Sequence, residues 1–542
     1  VIGLVPMTAL AVEETATPIL ATDTALKSGN YVLSSDVTLS SGALTIAKDE
    51  TVTIDLAGHT LTNKPGKHTI IISLGGSLTI TDTVGTGRVD NVSHGRAAVE
   101  NSGTVNILGG EYTRSQENGQ SSSDNGGNSY YVLLNHGTMT IGQQGADNSG
   151  ISVTQDGHYS SMIENGYQNY NSQHNENTNA ANPTLTIYGG MFSGGLNTVK
   201  NDDAGVLTIF GGTFENVTQT AVMNYNEATI YGGNFSSSTN VFANTHINND
   251  KDKGTLTIGG GTFSCDKELI TLGYGYTDAG TVTISDGDFT YGTTSGEMFV
   301  SSATNKTVKI SSGTFSQAIP QEYCSEEYAP LTQESGKYTV ISKAAAEKAG
   351  YPQDSLGNYY ESENVAVENN VASVTNADGT VTYYATLQEA IEKAENGDTV
   401  TLLKDVPNAT GITVSSGKNF TVDFGWYTYT LTGPGAGSTG TETNGFQLLK
   451  DSTITFKNGT IRIAENANNI KRIIQNYADL TLEDMHIYAE NQVGGEDYAL
   501  SFNNGTILFK GNTSVFTTQE NAIAFDVCKY ASYPAVQVTF DE

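Results

Sequence analysis

The stretch TLTIYGGMF, residues 184–192, decides the fold, because close variants of it recur along the first half of the chain. The clear copies are TVNILGGEY (104–112), VLTIFGGTF (206–214), ATIYGGNF (228–235) and TLTIGGGTF (255–263), followed by the weaker TVTISDGDF (281–289) and TVKISSGTF (307–315). From Phe192 onward the closing aromatic residue returns at intervals of 22, 21, 28, 26 and 26 residues. A strand-like unit that repeats at such a period predicts a solenoid.

One copy already has the pattern of a pleated strand followed by a sharp turn. Leu185 and Ile187 point to one side, while the threonines beside them point to the other. Gly189 and Gly190 permit positive φ, so the chain can turn and place Phe192 in the core from the next face. A single copy is too small to fold alone, so we expect copies to stack as two parallel strands per repeat.

A second, shorter element ends in apolar-x-Asn or apolar-Asn. It occurs at Asn101, Asn135, Asn165, Asn201 and Asn224, with similar endings at Asn476 and Asn503. Because asparagine tolerates the left-handed region and can bond its own kind along a stack, these positions predict a partial asparagine ladder at one corner of the coil. Ordinary turn asparagines that face solvent are the alternative.

The composition excludes several partners. The 542 residues include 26 Lys plus Arg and 58 Asp plus Glu, which gives a net charge of −32. Such a chain repels nucleic acid and anionic membrane surfaces, so neither is an expected partner. The hydrophobic fraction of 37% is too high for a disordered chain. The three cysteines show no CxxC spacing, which predicts isolated thiols without a zinc or redox site.

The two ends of the chain indicate export and a longer parent protein. Residues 1–10 are apolar and Ala9-Leu10-Ala11 forms an A-x-A step before acidic sequence, so residues 1–23 are interpreted as a signal-peptide remnant and leader. An apolar first strand is the alternative. No later stretch reaches the roughly 18 apolar residues that span a membrane, so no membrane insertion is expected. We therefore expect an exported protein, and the strand-like end VQVTFDE predicts a fragment of a longer one.

The pattern starts twice. TVTIDLAGHTLTN (51–63) is echoed by FTVDFGWYTYTLTG (420–433), and SLTITDTVGTGRV (77–89) by STITFKNGTIRI (452–463). We therefore predict a first β-helix at 24–340, a linker at 341–381 and a second β-helix at 382–542. Thr386 and Glu389 form a capping box and Gly397 a stop signal, so a short helix should cap the second stack. A partner-binding helix is the alternative.

These motifs, together with YATLQEAIEKAENGDTVTLLKDV (384–406), resemble pectin-lyase-like β-helix repeats. The resemblance is strongest to adhesin-like secreted surface proteins of Gram-positive gut bacteria, and it covers most of residues 30–542. It implies an all-β, right-handed parallel β-helix at the cell surface. It does not select an activity, because this fold carries lyases, hydrolases and inert stalks alike.

Two stretches interrupt the first module, at 113–130 and 155–183, and both are rich in Asn, Ser, Gln and Gly. In solenoids, insertions map to loops on one face, often the binding face. The second contains Tyr159, Tyr167, Tyr170 and His174 among amides, a set of side chains that can stack on and hydrogen-bond a sugar. These four residues are the predicted ligand-binding residues. A disordered or merely solvated loop is the alternative.

No residue pattern supports catalysis. Arginine is scarce, and the Gly-His-Gly and Arg-Ile-Lys motifs of polygalacturonases have no counterpart in the right order. Asp202 and Asp203 are interpreted as a turn before Val206. Asp250 and Asp252 alternate in a loop, as calcium-binding carboxylates do, so they are the candidate metal ligands; no other cofactor is expected.

The sequence therefore predicts a non-catalytic, exported surface protein, an adhesin-like β-helical stalk that presents loops to a carbohydrate or a host surface. Two alternatives remain open. One is a carbohydrate-active β-helix enzyme, a polysaccharide lyase or glycosidase with an unrecognised site. The other is a fibre module that only extends another domain. A cluster of carboxylates on neighbouring coils would favour the enzyme.

Overall fold

The computed structural model describes residues 15–114, 130–157, 159–247, 249–292, 296–467, 469–491, 498–518, 520, 522–529 and 536–541. It is nearly all β, with long parallel sheets. The chain divides into two compact units. Unit 1 comprises the described residues up to Tyr328 with Lys337–Ser342, and unit 2 comprises Ala329–Gly336 with the described residues from Lys343 onward. The predicted signal-like residues 1–11 lie outside the described residues.

Each typical repeat of unit 1 contributes strands to three parallel ladders in the described residues, where the sequence indicated two strands per repeat. The first sheet holds the Thr-apolar-Thr-Ile strands. Its members are Thr17–Pro18, Gly29–Val32, Thr51–Asp55, Ser77–Thr81, Thr104–Ile107, Thr138–Ile141, Thr184–Ile187, Val206–Ile209, Glu227–Ile230, the first parts of Thr255–Cys265 and Asp278–Tyr291, and Asn305–Ile310.

The second sheet holds the strands that follow the glycine turn. Its members are Val37–Thr38, Thr60–Thr62, Arg88–Asp90, Gly110–Thr113, Ile151–Gln155, Met191–Gly194, Thr213–Asn216, Asn234–Ser237, the last parts of Thr255–Cys265 and Asp278–Tyr291, and Thr314–Phe315. Tyr338–Ser342 adds one antiparallel strand at the end of this sheet. A 3₁₀ turn lies at Gln321–Tyr323.

The third sheet holds the strands that end in asparagine and their equivalents. Its members are Ala25–Leu26, Leu44–Ile46, Ile70–Ile72, Val99–Asn101, Leu133–Asn135, Ile163–Asn165, Asn197–Asn201, Thr220–Asn224, Asn240–Asn244, Ile270–Leu272 and Phe299–Ser301. Strands one repeat apart pair in parallel and in register, which is compatible with a solenoid.

The core of unit 1 is built from columns of identical side chains. Phe192, Phe214, Phe235, Phe263, Phe289 and Phe315 stack with centroids 4.5 to 5.1 Å apart and planes within 19° of parallel. The glycine turn makes room for this column. Gly190 has φ +123°, and a Cβ there would lie 3.1 Å from the ring of Phe192. The predicted positive φ is therefore confirmed for Gly190, while Gly189 does not adopt it.

The predicted asparagine ladder is confirmed in unit 1 and extends one coil further, to Asn244. Asn476 and Asn503 of unit 2 do not form one, because Asn476 lies opposite Leu448 and Asn503 opposite Cys528. Each Nδ2 donates to the Oδ1 of the next asparagine, at 2.7, 2.7, 2.7, 2.8 and 2.7 Å along Asn101, Asn135, Asn165, Asn201, Asn224 and Asn244. All six side chains are fully buried. The same amides also donate to backbone carbonyls, which supplies the buried polar groups of this corner with partners.

Unit 2 repeats the three-sheet arrangement in its described residues. Its first sheet contains Thr399–Leu402, Asn419–Asp423, the first parts of Thr453–Ile463 and Asp479–Ala489, Thr506–Lys510 and Gln537–Phe540. The second contains Val406–Ala409, Thr428–Leu431, the last parts of the same two long strands and Ser514–Thr517. The third contains Ile412–Val414, Asn444–Leu448, Arg472–Asn476, Tyr498–Asn503 and Ile523–Cys528.

Residues 341–381, for which the sequence predicted a linker, contain regular structure. Helices α2 (Lys343–Ala349) and α3 (Glu363–Asn369) follow α1 (Tyr170–Gln173) of unit 1 in chain order. Short strands lie at Tyr328–Thr332, Gln353–Asp354, Tyr359–Tyr360, Ala372–Thr375 and Val381–Tyr384. The last two form an antiparallel hairpin, and Ala372–Thr375 also pairs with the first sheet of unit 2. The sequence repeat is absent here because this segment forms short helices and a hairpin in place of stacked coils.

The predicted capping helix is α4, Leu387–Lys393. The Thr386 hydroxyl accepts a hydrogen bond of 3.1 Å from the Glu389 N–H, as an N-cap does. Leu387, Ala390 and Ile391 are buried in the core of unit 2. The three cysteines are free, and Cys265 is buried. Among the described residues, no helix has the length and apolar character needed to cross a membrane.

Candidate functional site

A cleft of about 550 Å³ lies on the outer face of the third sheet of unit 1. We call it the tyrosine cleft. It is lined by Tyr130, Tyr131, Tyr159, Ser160, Ser161, Gln168, Gln173, Leu196, Asn197, Lys200, Gln219, Met223, Tyr225 and Tyr274. The lining combines five phenol rings with amides and hydroxyls, so it offers both stacking faces and hydrogen-bonding groups.

The floor of the cleft is an outward-facing column of the third sheet. Leu134, Glu164, Lys200 and Met223 occupy the same strand position in successive coils, as the register of their strands shows. Side chains at this position alternate with the inward asparagines and should face solvent. Instead Leu134 is 4% exposed and Glu164 is 1% exposed. The face is therefore covered.

The predicted insertion at 155–183 contains the third-sheet strand Ile163–Asn165, and residues on both sides of that strand line the cleft together with Tyr130 and Tyr131. The backbone N–H of Leu196 donates to the Ser160 carbonyl at 2.9 Å, and that of Met162 donates to the Asn197 carbonyl at 2.8 Å. These bonds hold the Tyr159 end of the insertion against the coil that carries Lys200. The loop thereby forms a wall and converts a plain sheet face into a cleft.

The tyrosines give the cleft accessible ring surface. Tyr159 and Tyr274 are 42% and 40% exposed and come from different coils. The rings of Tyr130 and Tyr131 lie 5.0 Å apart in a tilted pair. Aromatic faces at several heights along one groove can stack on successive rings of an extended ligand.

A buried ionic cluster lies beneath the tyrosines. The Lys200 ammonium forms an ion pair with Asp202, lies 3.9 Å from Glu164 Oε1 and stands 5.6 Å from the centre of the Tyr225 ring. Burial raises the pKa of Glu164 well above its usual range, and Asp202 adds to this effect against the opposing charge of Lys200. Although burial opposes it, Glu164 and Asp202 together raise the pKa of Lys200, which therefore stays charged.

The chemical consequence is a nearly neutral cleft. Lys200 is the one cationic side chain among the described residues that line it, and its charge is balanced by Asp202. The cleft therefore suits an uncharged, hydroxyl-rich molecule better than a polyanion.

Of the four predicted ligand-binding residues, Tyr159 lines the cleft and the other three form a separate aromatic cluster. Tyr167 is fully buried, and its hydroxyl donates to the Ala180 carbonyl at 2.5 Å. Its ring stacks on His136 at 4.5 Å. Tyr170 and His174 stack on each other at 4.4 Å, and Tyr170 meets Tyr167 edge-on at 5.3 Å. This cluster anchors the base of the insertion.

The predicted calcium ligands do not converge on a shared site. Asp250 is exposed and lies 3.7 Å from the Lys251 ammonium. Asp252 is buried, where its carboxylate accepts from the Ile247 N–H at 2.7 Å and lies 3.5 Å from His246. Across the described residues, no group of three or more His, Cys, Asp or Glu side chains is arranged to hold a metal ion.

Sequence reasoning missed Tyr131, Lys200, Tyr225 and Tyr274. A signal for part of the site was nevertheless present in the triplets that end in asparagine. The middle residue of each triplet faces outward, and it is charged in VEN (99–101), IEN (163–165) and VKN (199–201). Asp202, interpreted as part of a turn, does begin one, because the Gly205 N–H donates to the Asp202 carbonyl at 3.0 Å. It also supplies the ion-pair partner of Lys200.

Comparison of the chain with models of known protein families and with curated proteins finds no match. The geometry of the cleft and the pattern of the repeats therefore carry the functional argument.

Proposed function

We propose that the protein is a non-catalytic, exported, adhesin-like surface protein that binds an uncharged glycan in the tyrosine cleft. In this proposal the parallel sheets are the faces of right-handed parallel β-helices of the pectin-lyase-like kind. The observation that carries the proposal is the cleft itself, in which tyrosine rings, amides and hydroxyls line a groove on a stacked scaffold. Export to the cell surface rests on the A-x-A step and on the resemblance of the repeats.

The mechanism is geometric. Parallel strands lie about 4.8 Å apart, so the stacked coils set the heights at which Tyr131, Tyr159, Tyr225 and Tyr274 meet a ligand. The asparagine ladder lies directly behind the floor and fixes these strands in register. Aromatic rings then contact the apolar faces of sugars, and Gln168, Gln173 and Gln219 offer planar donors and acceptors.

The test is a glycan-array screen of the full chain, run beside assays for new reducing ends and for unsaturated uronates. Binding of neutral glycans without release of either product is the expected result. Release of product would contradict the non-catalytic role, and failure to bind any glycan would remove the glycan as the ligand class.

A carbohydrate-active enzyme is the second candidate, and one observation favours it. Glu164 and Asp202 come from neighbouring coils, and both lie beside Lys200 at the floor of the cleft. A carboxyl group with a raised pKa is the form that a general acid takes. Against this role, Glu164 is 1% exposed and lies beneath the residues that line the cleft.

One variant separates the two candidates. If the protein releases product from a glycan in these assays, Glu164→Gln should abolish turnover and leave binding intact. The glutamine amide keeps the shape of the glutamate side chain but cannot donate the carboxyl proton. If Glu164 is structural, the same variant changes stability and the protein still binds glycan without turnover.

A further inference from the structure

A second cavity, of about 490 Å³, lies within unit 2 and is independent of the tyrosine cleft. Its lining includes Glu347, Tyr351, Tyr359, Glu363 and Tyr383. It occurs in the segment that the repeat pattern skips, so its side chains are not required by the stacking of coils.

Local pairing builds the walls of this cavity. The chain leaves α2 through Tyr351, whose N–H donates to the Ala346 carbonyl at 3.1 Å. Gln353 then pairs antiparallel with Tyr359 and parallel with Thr382. These pairings bring the end of α2, the start of α3 and the edge of the hairpin around one space.

Two tyrosine hydroxyls and two carboxyl groups belong to the lining of the cavity. Tyr359 and Tyr383 are each 3% exposed, and neither hydroxyl has a hydrogen-bond partner in the described part of the chain. Glu347 and Glu363 are exposed at the rim, and neither forms an ion pair with another described residue. Burial raises the pKa of Tyr359, and the charge of Glu347 adds to this effect. Burial likewise raises the pKa of Tyr383, with a contribution from Glu363. Each hydroxyl thus has one carboxylate in its surroundings.

We propose that this cavity binds an organic cation, of the kind presented by a lysine side chain. Two carboxylates and two phenol oxygens would accept the N–H groups of such a cation. The rings of Tyr351, Tyr359 and Tyr383 supply aromatic surface for its alkyl chain and its charge. The described lining contains no Lys or Arg that would compete with the ligand.

The probe is Nα-acetyl-lysine methylamide, titrated against the full chain by saturation-transfer NMR. Nα-acetyl-norleucine methylamide has nearly the same shape without the charge. We expect the lysine probe to bind at least about tenfold more tightly than the norleucine probe, since cation–aromatic contact and paired carboxylates favour only the former. Equal binding of the two probes, or no binding of the lysine probe, would overturn the proposal.

Variants distinguish this site from the general attraction of a −32 chain for cations. The double variant Glu347→Gln/Glu363→Gln should weaken lysine-probe binding by about tenfold or more. The control Glu395→Gln/Glu465→Gln removes the same charge from exposed positions of unit 2 outside the cavity and should change binding less than about twofold. An equal loss in both variants would show that bulk charge is responsible and would refute the site.

The double variant Tyr359→Phe/Tyr383→Phe keeps the rings and removes the hydroxyls. It should lower the affinity for the lysine probe a few-fold, and no loss of affinity would exclude the hydroxyls as ligands.

Discussion

The third sheets of the two units differ on their outer faces. In unit 2 the outward column reads Thr413, Gln447, Gln475, Ser501 and Asp526, a polar column in which Ser501 is buried and the others are at least partly exposed. In unit 1 the corresponding column is Glu100, Leu134, Glu164, Lys200 and Met223. The same strand position therefore carries polar side chains in unit 2, which we call the plain face, and lies beneath a tyrosine-lined cleft in unit 1, where residues of the insertion contribute to the lining.

The inner columns of these sheets differ as well. Unit 1 places six asparagines in one continuous ladder. Unit 2 has Val414, Leu448 and Asn476 in register at the same position, and Asn476 donates to the Thr506 carbonyl at 3.0 Å. A ladder of identical polar groups fixes register, whereas mixed apolar residues only fill space. The unit that carries the cleft is thus the one with the more strictly specified scaffold.

The largest effect is expected from breaking the ladder. Asn165→Leu would leave the amide of Asn135 and the carbonyl of Asn201 without their mutual partner in a fully buried column. The free energy of unfolding of unit 1 should fall by about 4 kcal/mol, because two buried polar groups lose a bond. Asn476→Leu in unit 2 should cost only about 1 to 2 kcal/mol, because its neighbour Leu448 is already apolar. Urea denaturation monitored by hydrogen exchange measures the free energy of unfolding of each unit separately. Equal losses of stability in the two variants would contradict this account of the ladder.

A pH effect should follow next in size. Burial, with His174 adding, lowers the pKa of His136 from 6.5 to about 4, and burial with Arg96 and Arg114 does the same for His68. The pKa values of both histidines are lower in the folded state than in the unfolded state. Their contribution to the free energy of unfolding is therefore present above pH 6.5 and is lost as the pH falls toward 4. His136→Phe keeps the stack on Tyr167 and removes the titration. Between pH 7 and pH 4 it should lose about 2 kcal/mol less stability than the wild type. An unchanged loss would show that His136 does not control the acid response.

These two predictions mark what the sequence could and could not supply. The ladder was predictable because each asparagine ends a recurring apolar triplet, and the phenylalanine column was predictable from its period. The cleft was not, because its tyrosines come from coils far apart in sequence and meet only when the insertion folds over the third sheet. Tyr167, Tyr170 and His174 have the composition of a binding loop, yet they pack on one another because the base of that loop needs an apolar anchor.

The tyrosines provide the direct contrast between the two outer faces. Tyr159→Ala/Tyr274→Ala removes the two most exposed rings of the cleft and should weaken binding of an array-selected glycan about thirtyfold, or about 2 kcal/mol. Tyr231→Ala is the control, since Tyr231 is 55% exposed and lies outside the cleft. Calorimetric titration measures both, and an equal loss in the control would place the binding surface elsewhere.

The smallest expected effect concerns charge. Asp202→Asn removes the ion-pair partner of Lys200, so the cleft should gain about fivefold in affinity for an acidic glycan over the wild type. Gln475→Lys adds the same charge to the plain face of unit 2 and should give no comparable gain. Titration with paired neutral and uronate oligosaccharides tests this. A wild type that already prefers the uronate would contradict the neutral cleft while leaving glycan binding itself intact.

The most direct test of the central claim is hydrogen exchange of the full chain with and without a saturating array-selected glycan. The account predicts slower exchange in residues 159–161, 196–200 and 219–225, which line the cleft of unit 1, and no change in residues 444–448 and 472–476 of unit 2. Protection of the unit 2 strands, or none in the cleft segments, would contradict it.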